Sequence, residues 1–295
     1  MSLIQWLNQY VAQQDLQDLD GAVETAISGV WFFRSQSGNP RQPMLYQSGI
    51  LILAQGKKRI HLNQNQVLYG PNDYLVVGVP LPLECEAIAE PGKPILGISI
   101  RIAPGVLQKL VHRIESAGYR AGQKACKETC GIRSVAMNAV MEETCIRLVK
   151  ALCDELDTKV IGQSILEELI YRVLINDEGR VLFELAHKEG YYSRVAAVLN
   201  RVHRDYSQHL SVNDLASEAN MSVSAFYNAF RSVTLESPVQ YIKKVRLSRA
   251  RELIHLDGRK VNEAARMVGY SSASQFHREY KRLFQETPGE DKYVP

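Results

Sequence analysis

The chain has 295 residues, of which 45% are hydrophobic and 23% are charged, and its formal net charge is +3. These values exclude an intrinsically disordered chain, and the length predicts two domains. The amino terminus has no basic stretch followed by an apolar run, and no segment of about 18 consecutive apolar residues occurs. We therefore expect a cytoplasmic protein with no signal peptide and no association with a membrane.

The first third of the chain predicts a series of short strands. The expected strands lie at residues 22–35, 50–54, 59–62, 74–77 and 94–102. The segment Gln55-Gly56-Lys57-Lys58 is interpreted as the turn of one hairpin, and Asn63 to Gln66 as the turn of a second. Gly70-Pro71-Asn72-Asp73 predicts a further turn. Many short strands at this spacing indicate a β-barrel or a sandwich.

Residues 104–192 predict helices that follow the strands. One apolar series has spacings of 4, 4, 3 and 4 and consists of Met137, Met141, Cys145, Leu148 and Leu152. This series fits either a seam that pairs two subunits or a helix that packs on its own domain. A further packed helix is expected at Ile165–Ile175.

The five cysteines are expected to be reduced thiols, because their number is odd and the chain has no export signal. Cys126 and Cys130 are one helical turn apart if their segment is helical, and basic residues surround them. Positive charge lowers the pKa of a thiol and makes it more reactive. These two residues could therefore sense oxidants or electrophiles, or they could be ordinary cytosolic thiols.

The carboxy-terminal third is the basic part of the chain and contains an internal repeat. Residues 193–295 hold 16 Lys and Arg against 11 Asp and Glu. Residues 212–216 match residues 261–265, and Ser222 to Arg231 matches Ser272 to Lys281. Each copy reads as a short helix, a turn at Asn220 or Gly269, and a second helix that begins at a serine. Two helix-turn-helix units are therefore predicted, at 212–233 and 260–283.

The second helix of each unit has an inner and an outer face. Phe226 and Phe230 share the inner face of the first, and Phe276 and Tyr280 share that of the second. An outer face of this kind can contact base edges and phosphates in a major groove. The expected DNA-contacting residues are Ser224, Tyr227, Asn228, Arg231, Ser274, Gln275, His277, Arg278 and Lys281.

From about Arg194 to Pro288, this region resembles the DNA-binding domain of AraC/XylS-type transcriptional regulators. The resemblance rests on the two units, on the joining helix Val239–Ile254 and on the segment from Gly269-Tyr270-Ser271-Ser272 to Thr287-Pro288. It implies that one subunit places two recognition helices in successive major-groove segments of double-stranded DNA. Leu235, Gln285 and Asn220 depart from the family, which usually has glycine at these positions.

The amino-terminal half resembles the cupin-like domain of one AraC-type subgroup, through Pro71-Asn72-Asp73 and its place in the chain. The resemblance implies a multi-domain α and β protein. Residues 1–192 would form a cupin-like barrel with flanking helices that binds a small-molecule effector and dimerises, and residues 193–295 would form an all-α DNA-binding domain. Strand position and side-chain chemistry suggest effector-contacting residues at Trp31, Arg34, His61, Tyr74 and Arg101.

Catalysis and metal binding are not expected. Cupin enzymes hold a metal with several histidines and a glutamate, whereas His61 is the only histidine on the predicted strands. We therefore expect a sensor with no metal and no cofactor. The expected partners are operator DNA, an effector, a second copy of the chain and, in an activator, RNA polymerase.

One alternative is a DNA-repair protein in which an AraC-like module is joined to a zinc-binding domain. Methyl-acceptor DNA-repair proteins have a zinc site made of a Cys-x3-Cys pair and a Cys-x2-Cys pair. Cys126 and Cys130 fit the first pair, but Cys145 and Cys153 are separated by seven residues and fit the second poorly.

Overall fold

The structure is a computed structural model that describes residues 1–62, 65–119, 131–176, 180–186 and 191–291. Its strands are β1 (Gly21–Glu24), β2 (Val30–Ser35), β3 (Gly38–Tyr46), β4 (Gly49–Gln55), β5 (Lys57–Leu62), β6 (Asn65–Tyr69), β7 (Asp73–Val77), β8 (Leu81–Ile88), β9 (Ile95–Ile100) and β10 (Ile132–Ala136). Its helices in the first two thirds of the chain are α1 (Leu3–Gln13), α2 (Pro104–Ser116), α3 (Ala139–Leu152), α4 (Glu155–Val160), α5 (Gly162–Leu174) and α6 (Arg180–Ala186). The carboxy-terminal helices are α7 (Tyr191–Asp205), α8 (Val212–Glu218), α9 (Val223–Thr234), α10 (Pro238–His255), α11 (Val261–Met267) and α12 (Ala273–Phe284).

The strands form two facing antiparallel sheets. One sheet has the order β1-β2-β9-β4-β7-β10 and the other has the order β3-β8-β5-β6. Successive side chains on a strand point to opposite faces of its sheet. In the first sheet, Phe32 and Ile98 therefore join the core formed with α1, α3 and α5, whereas Leu53 and Leu75 belong to the core on the barrel side.

The predicted hairpin at Gln55 to Lys58 is wrong. β4 pairs with β7 and β9, while β5 pairs with β6 and β8, so the chain crosses from one sheet to the other at Gly56. Gly56 has a φ of 82°, and a Cβ there would lie 2.7 Å from Cγ1 of Ile95. The second predicted hairpin is confirmed, because β5 and β6 pair as neighbours.

Two further expectations need correction. The region predicted as helices from residue 104 to 192 also contains β10, which adds an edge strand next to β7. The proposed dimer seam is buried within its own domain: Met141, Cys145 and Leu148 are at most 3% exposed in the core shared with α1 and α5. Of the two interpretations of the seam, packing on its own domain is the one confirmed.

Helix α10 joins the two helix-turn-helix units, and its two halves belong to different cores. Tyr241 and Val245 pack with α7, α9 and the inner barrel residues, whereas Ala250 packs with α11 and α12. The expected boundary between residues 192 and 193 falls inside α7, which begins at Tyr191. In the described part of the chain, no helix has the length and hydropathy needed to cross a membrane.

Candidate nucleic-acid interface and effector cavity

Each helix-turn-helix unit has the predicted capped second helix. Oγ of Ser222 accepts a hydrogen bond from the backbone N–H of Ala225 at 3.3 Å, and Oγ of Ser272 accepts one from that of Gln275 at 3.2 Å. These bonds satisfy backbone donors that have no partner within the helix. The aromatic inner faces are completely buried. The local pattern of the sequence thus positions α9 and α12 as a matched pair of surface helices.

The outer faces of α9 and α12 are open to solvent. Exposed side chains on them include eight of the nine residues expected to contact DNA: Ser224, Tyr227, Asn228, Arg231, Ser274, His277, Arg278 and Lys281. Gln275, the ninth, is half-buried. This arrangement leaves hydroxyl, amide, imidazole and cationic groups available to one partner, which are the groups that contact bases and phosphates.

Gln275 belongs to a polar network that supports α12. Its amide donates to Oε1 of Glu279 at 3.2 Å, and Glu279 also accepts hydrogen bonds from Lys243 and Tyr270, each at 2.8 Å. Burial tends to raise the pKa of Glu279, but these donors outweigh it and the pKa lies below its usual value. The network joins α12 to α10, and its members were not identified from the sequence, apart from Gln275.

The four positions discussed as turns or helix ends all adopt left-handed backbone conformations. The φ angles are 51° at Asn220 and 89° at Gly269, as predicted. They are 65° at Leu235 and 63° at Gln285, the positions that depart from the family's glycines. A side chain with a Cβ is strained in this region, so α9 and α12 both end at energetically unfavourable residues.

The barrel contains a partly open cavity of about 240 Å³ between its two sheets. Arg34 and Arg101, two of the expected effector-contacting residues, line this cavity. The sequence did not single out Phe33, Met44 or Lys58, which also line it. Apolar walls with a few polar groups are typical of small-molecule sites.

Three of the expected effector-contacting residues are not part of the cavity wall. Tyr74 faces the helical layer, and its strand neighbour Leu75 faces the barrel. His61 lies on the outer face of its sheet, in a small pocket shared with Glu236 and Lys244 of the carboxy-terminal region. Trp31 stacks on Arg101, whose guanidinium is 4.2 Å from the Trp31 ring centre. Trp31 therefore contacts a residue of the cavity wall without belonging to it.

A chain of hydrogen bonds joins the first unit to the barrel. The hydroxyl of Tyr241 donates to the backbone oxygen of Pro80 at 2.6 Å, and Nε2 of His203 lies 2.7 Å from the same hydroxyl. Burial, followed by the charge of Arg249, lowers the pKa of His203 to about 4. Because the single hydroxyl hydrogen of Tyr241 is used at Pro80, neutral His203 donates to Tyr241 through Nε2–H. The backbone N–H of Gly131 also donates to the carbonyl of Val233, at 3.2 Å.

A larger cavity, of about 500 Å³, lies between the barrel and helices α2, α6 and α7. Arg194 lines it, but its guanidinium donates to the backbone oxygens of Ala219 and Asn220. The charge of Arg194 is therefore used in joining α7 to the first unit.

The structure describes only some of the cysteines on which the thiol-sensor and zinc-site alternatives depend. Cys126 and Cys130 lie outside the described residues. Cys145 is fully buried, and burial raises the pKa of its thiol to about 12, so it is an unreactive core residue. Among the described residues, no group of three His, Cys, Asp or Glu side chains is arranged to hold a metal ion.

Comparison with known proteins matches each half of the chain to a protein family. Residues 26–181 match the family described as the AraC-type transcriptional regulator N-terminus, and residues 215–292 match a helix-turn-helix domain family. The Msm operon regulatory protein of Streptococcus mutans is 34% identical over 36% of this chain and 40% of its own length. The transcriptional activator RclR of Escherichia coli, described as specific for RCS, is 31% identical over 48% of this chain and 47% of its own length.

Solved structures extend the likeness to the whole fold. ToxT from Vibrio cholerae superposes with a TM-score of 0.60 at 11% identity, covering 88% of this chain and 95% of ToxT. Another ToxT structure, with a bound unsaturated fatty acid, has a TM-score of 0.58. The matches to the two curated relatives span less than half of each relative's length. Because the first family match alone covers more than half of the chain, the protein belongs to the AraC-type transcriptional regulators.

Proposed function

We propose that the protein is a cytoplasmic, sequence-specific DNA-binding transcription regulator, and not an enzyme, whose activity is controlled by a small molecule bound in the barrel cavity. The observation that carries the proposal is the pair of serine-capped helices with buried aromatic inner faces and exposed polar outer faces. Two such helices on one chain suit two successive segments of a major groove.

The roles within the interface follow from side-chain chemistry. Arg278 is the best candidate for reading a guanine, because a guanidinium donates two hydrogen bonds to one base edge. Arg231 and Lys281, nearer the ends of their helices, are better suited to phosphates. In the first unit, Ser224, Tyr227 and Asn228 are the residues available for bases.

The effector role of the barrel rests on the cavity and on the contact between barrel and first unit. Tyr241 and Val233 belong to the same core as inner barrel residues such as Leu53. A ligand that moves the barrel wall would therefore also shift α9 and α10. The fatty acid found in ToxT supports control by a ligand. A homodimer and contact with RNA polymerase complete the proposal, and the dimer must use a surface other than the buried series on α3.

The experiment is selection of genomic DNA fragments by the purified full-length protein, followed by affinity measurement on the enriched sequence. We expect a defined site to be enriched. The double variant Asn228→Ala/Arg278→Ala, which changes one residue on each recognition helix, should lose at least tenfold in affinity for that site.

The matched control is Lys159→Ala, which also removes a positive charge but lies on α4, in an exposed ion pair with Glu155. We expect this variant to bind DNA like the wild type. Enrichment of no sequence, or equal affinity of the double variant and the control, would contradict the proposed function.

A further inference from the structure

The barrel cavity has an unbalanced set of charges. Two cationic side chains, Lys58 and Arg101, line it together with apolar residues such as Phe33 and Met44. The side chain of Arg34, next to Phe33 on β2, points to the opposite face of its sheet and reaches Leu19. Among the described residues that form its wall, none is an aspartate or a glutamate. Charged side chains that leave water are normally paired with an opposite charge. The cavity therefore has positive charge for which the described part of its wall provides no carboxylate.

Whereas Arg101 is exposed, Lys58 is half-buried. It lies on β5 opposite Ala87 of β8, and its ammonium is 4.5 Å from the centre of the Phe33 ring. The guanidiniums already have other contacts: Arg34 donates to the backbone oxygen of Leu19, and Arg101 stacks on Trp31. Lys58 therefore has the largest unused capacity to donate hydrogen bonds into the cavity.

The groups nearest to Lys58 do not neutralise it. Burial raises the pKa of Cys85, Tyr46 and Tyr69, so all three remain uncharged near neutral pH. The nearby carboxylates of the same sheet, Glu84 and Glu86, are paired with Arg41 and Arg59 instead. In the part of the chain that the structure describes, Lys58 has no ion pair, and burial lowers its pKa.

We propose that the barrel cavity is a binding site for a small organic carboxylate, with its carboxylate on Lys58 and its apolar body against Phe33 and Met44. This inference deepens the proposed function, because it takes the barrel cavity as the effector site. The cavity volume of about 240 Å³ lies below the range of most drug-binding pockets, which favours a small ligand.

A carboxylate fits better than a phosphate. The cavity offers one inward ammonium, which is a single point charge with three donors, and otherwise mostly apolar walls. A phosphate dianion would keep most of its oxygens without donors in such a place, and this is costly. Arg101, which stacks on Trp31, adds a second positive charge at the wall without being required as a direct ligand.

The test uses the full-length protein and two carboxylates, hexanoate and 3-phenylpropanoate. Each is compared with the alcohol and the amine of the same skeleton by isothermal titration calorimetry. We expect each carboxylate to bind at least tenfold more tightly than its alcohol, a difference of about 1.4 kcal/mol. The amines should bind most weakly because they bring a second positive charge into the cavity.

Two variants at neighbouring positions give the matched comparison. Lys58→Met removes the inward ammonium while keeping the length of the side chain, and Lys57→Met removes the exposed ammonium next to it on the same strand. We expect Lys58→Met to lose at least tenfold in carboxylate affinity and Lys57→Met to bind like the wild type. A melting temperature of Lys58→Met at or above that of the wild type shows that the barrel is folded, since a desolvated charge has been removed.

Three results would overturn the carboxylate site: equal binding of carboxylates and alcohols, unchanged carboxylate affinity in Lys58→Met, or no binding of either carboxylate at millimolar concentration. DNA binding by the unliganded wild type is measured separately on the selected operator. Failure of the carboxylate test with intact DNA binding removes the ligand class and leaves the proposed regulator. Failure of DNA binding instead contradicts the proposed function.

Discussion

The two helix-turn-helix units have the same local structure but pack in different cores. The first unit shares a core with the barrel, and Tyr241 and Val233 make hydrogen bonds that connect it to Pro80 and Gly131. The second unit has its own core around Phe276 and Tyr280, although α12 also approaches β3. The repeated motif is thus stabilised once by the barrel and once mainly by its own residues.

This difference in packing suggests that the two units have different roles in DNA binding. A change in the barrel can alter the position of α9, because the two pack in one core. The second unit, whose buried ion pair and polar network lie within α10, α12 and the carboxy-terminal segment, is better placed to keep a constant geometry. We infer that the first unit responds to the effector and the second unit supplies most of the base discrimination.

The largest expected effect comes from removing the buried ion pair of the second unit. Arg251 donates two hydrogen bonds of 2.6 Å to Asp291, and their side chains are 7% and 0% exposed. Arg251→Ala removes the guanidinium from the buried Asp291 carboxylate, which keeps only the hydrogen bond from Tyr280 and the more distant His255, so we expect a loss of about 3 kcal/mol in stability. Hydrogen exchange should show α11 and α12 opening while the barrel strands remain protected.

The control for that variant is Arg259→Ala, which breaks a half-exposed ion pair with Glu263 in the same unit. Its cost should stay below about 1 kcal/mol, because solvent screens such pairs. Equal loss of protection in the barrel of Arg251→Ala would contradict the independence of the second unit.

The next effect is a pH dependence specific to the first unit. His203 has a pKa of about 4 in the folded protein against about 6.5 in an unfolded chain. The unfolded state therefore binds the proton first, and the stability contributed by neutral His203, up to about 3 kcal/mol, is lost as the pH falls from about 6.5 to 4. We expect hydrogen-exchange protection of α7 and α10 to decrease over this range.

The second unit should respond differently to acid. Burial favours a raised pKa for Asp291, but hydrogen bonds from Arg251 and Tyr280 prevail and lower it. Its contribution is therefore complete above about pH 4 and is lost only as the pH falls through its lowered pKa. In His203→Gln, whose amide can still donate to Tyr241, the first unit should lose most of its pH dependence. Parallel acid curves for both units in the wild type would disprove this contrast.

A third prediction separates base reading from phosphate binding on α12. Arg278→Ala should lose preference for one base pair, worth about 1–3 kcal/mol, because its two donors then no longer select a guanine. Lys281→Ala should weaken binding to all sequences and reduce the slope of log K against log salt by about 1. Affinities for operator variants at two salt concentrations measure both. A uniform loss in Arg278→Ala would reassign that residue to a phosphate.

The same measurement compares the two units. Because Ser224, Tyr227 and Asn228 offer fewer bidentate donors than α12 does, Asn228→Ala should change base preference less than Arg278→Ala. A larger effect of Asn228→Ala would mean that the first unit, and not the second, supplies most of the base-pair discrimination.

The helix-turn-helix units could be predicted because their signals are local. Ser222, Ser272 and Gly269 act within a few residues, and the aromatic inner faces follow the helical period. Strands β3 and β8 were missed because they contain Pro40, Pro43 and Pro82, and proline normally argues against a strand. The false hairpin at Gly56 has a related cause, since pairing between strands depends on contacts distant in sequence.

The cavity residues were harder to predict because both faces of the sheets are covered. Residues 74–77 of β7 are all buried, so hydrophobicity does not reveal which face each residue occupies, and Tyr74 faces the helical layer and not the cavity. His61, next to the inward-facing Ile60, faces outward to a side of its sheet that the carboxy-terminal region covers. Lys58 was read as part of a turn, although it is an inward-facing strand residue. These placements depend on the packing of the two domains and not on any local pattern.

The smallest expected effect concerns the ends of the two recognition helices. Gln285 and Leu235 occupy equivalent left-handed positions, where a residue with a Cβ is less stable than glycine by about 1 kcal/mol. Gln285 is exposed, so Gln285→Gly should raise the free energy of unfolding by about that amount. Leu235 packs against the core of the first unit and the barrel, so Leu235→Gly should gain less or nothing. Chemical denaturation of both variants measures the difference, and an equal gain in both would mean that Leu235 adds nothing to the contact between the first unit and the barrel.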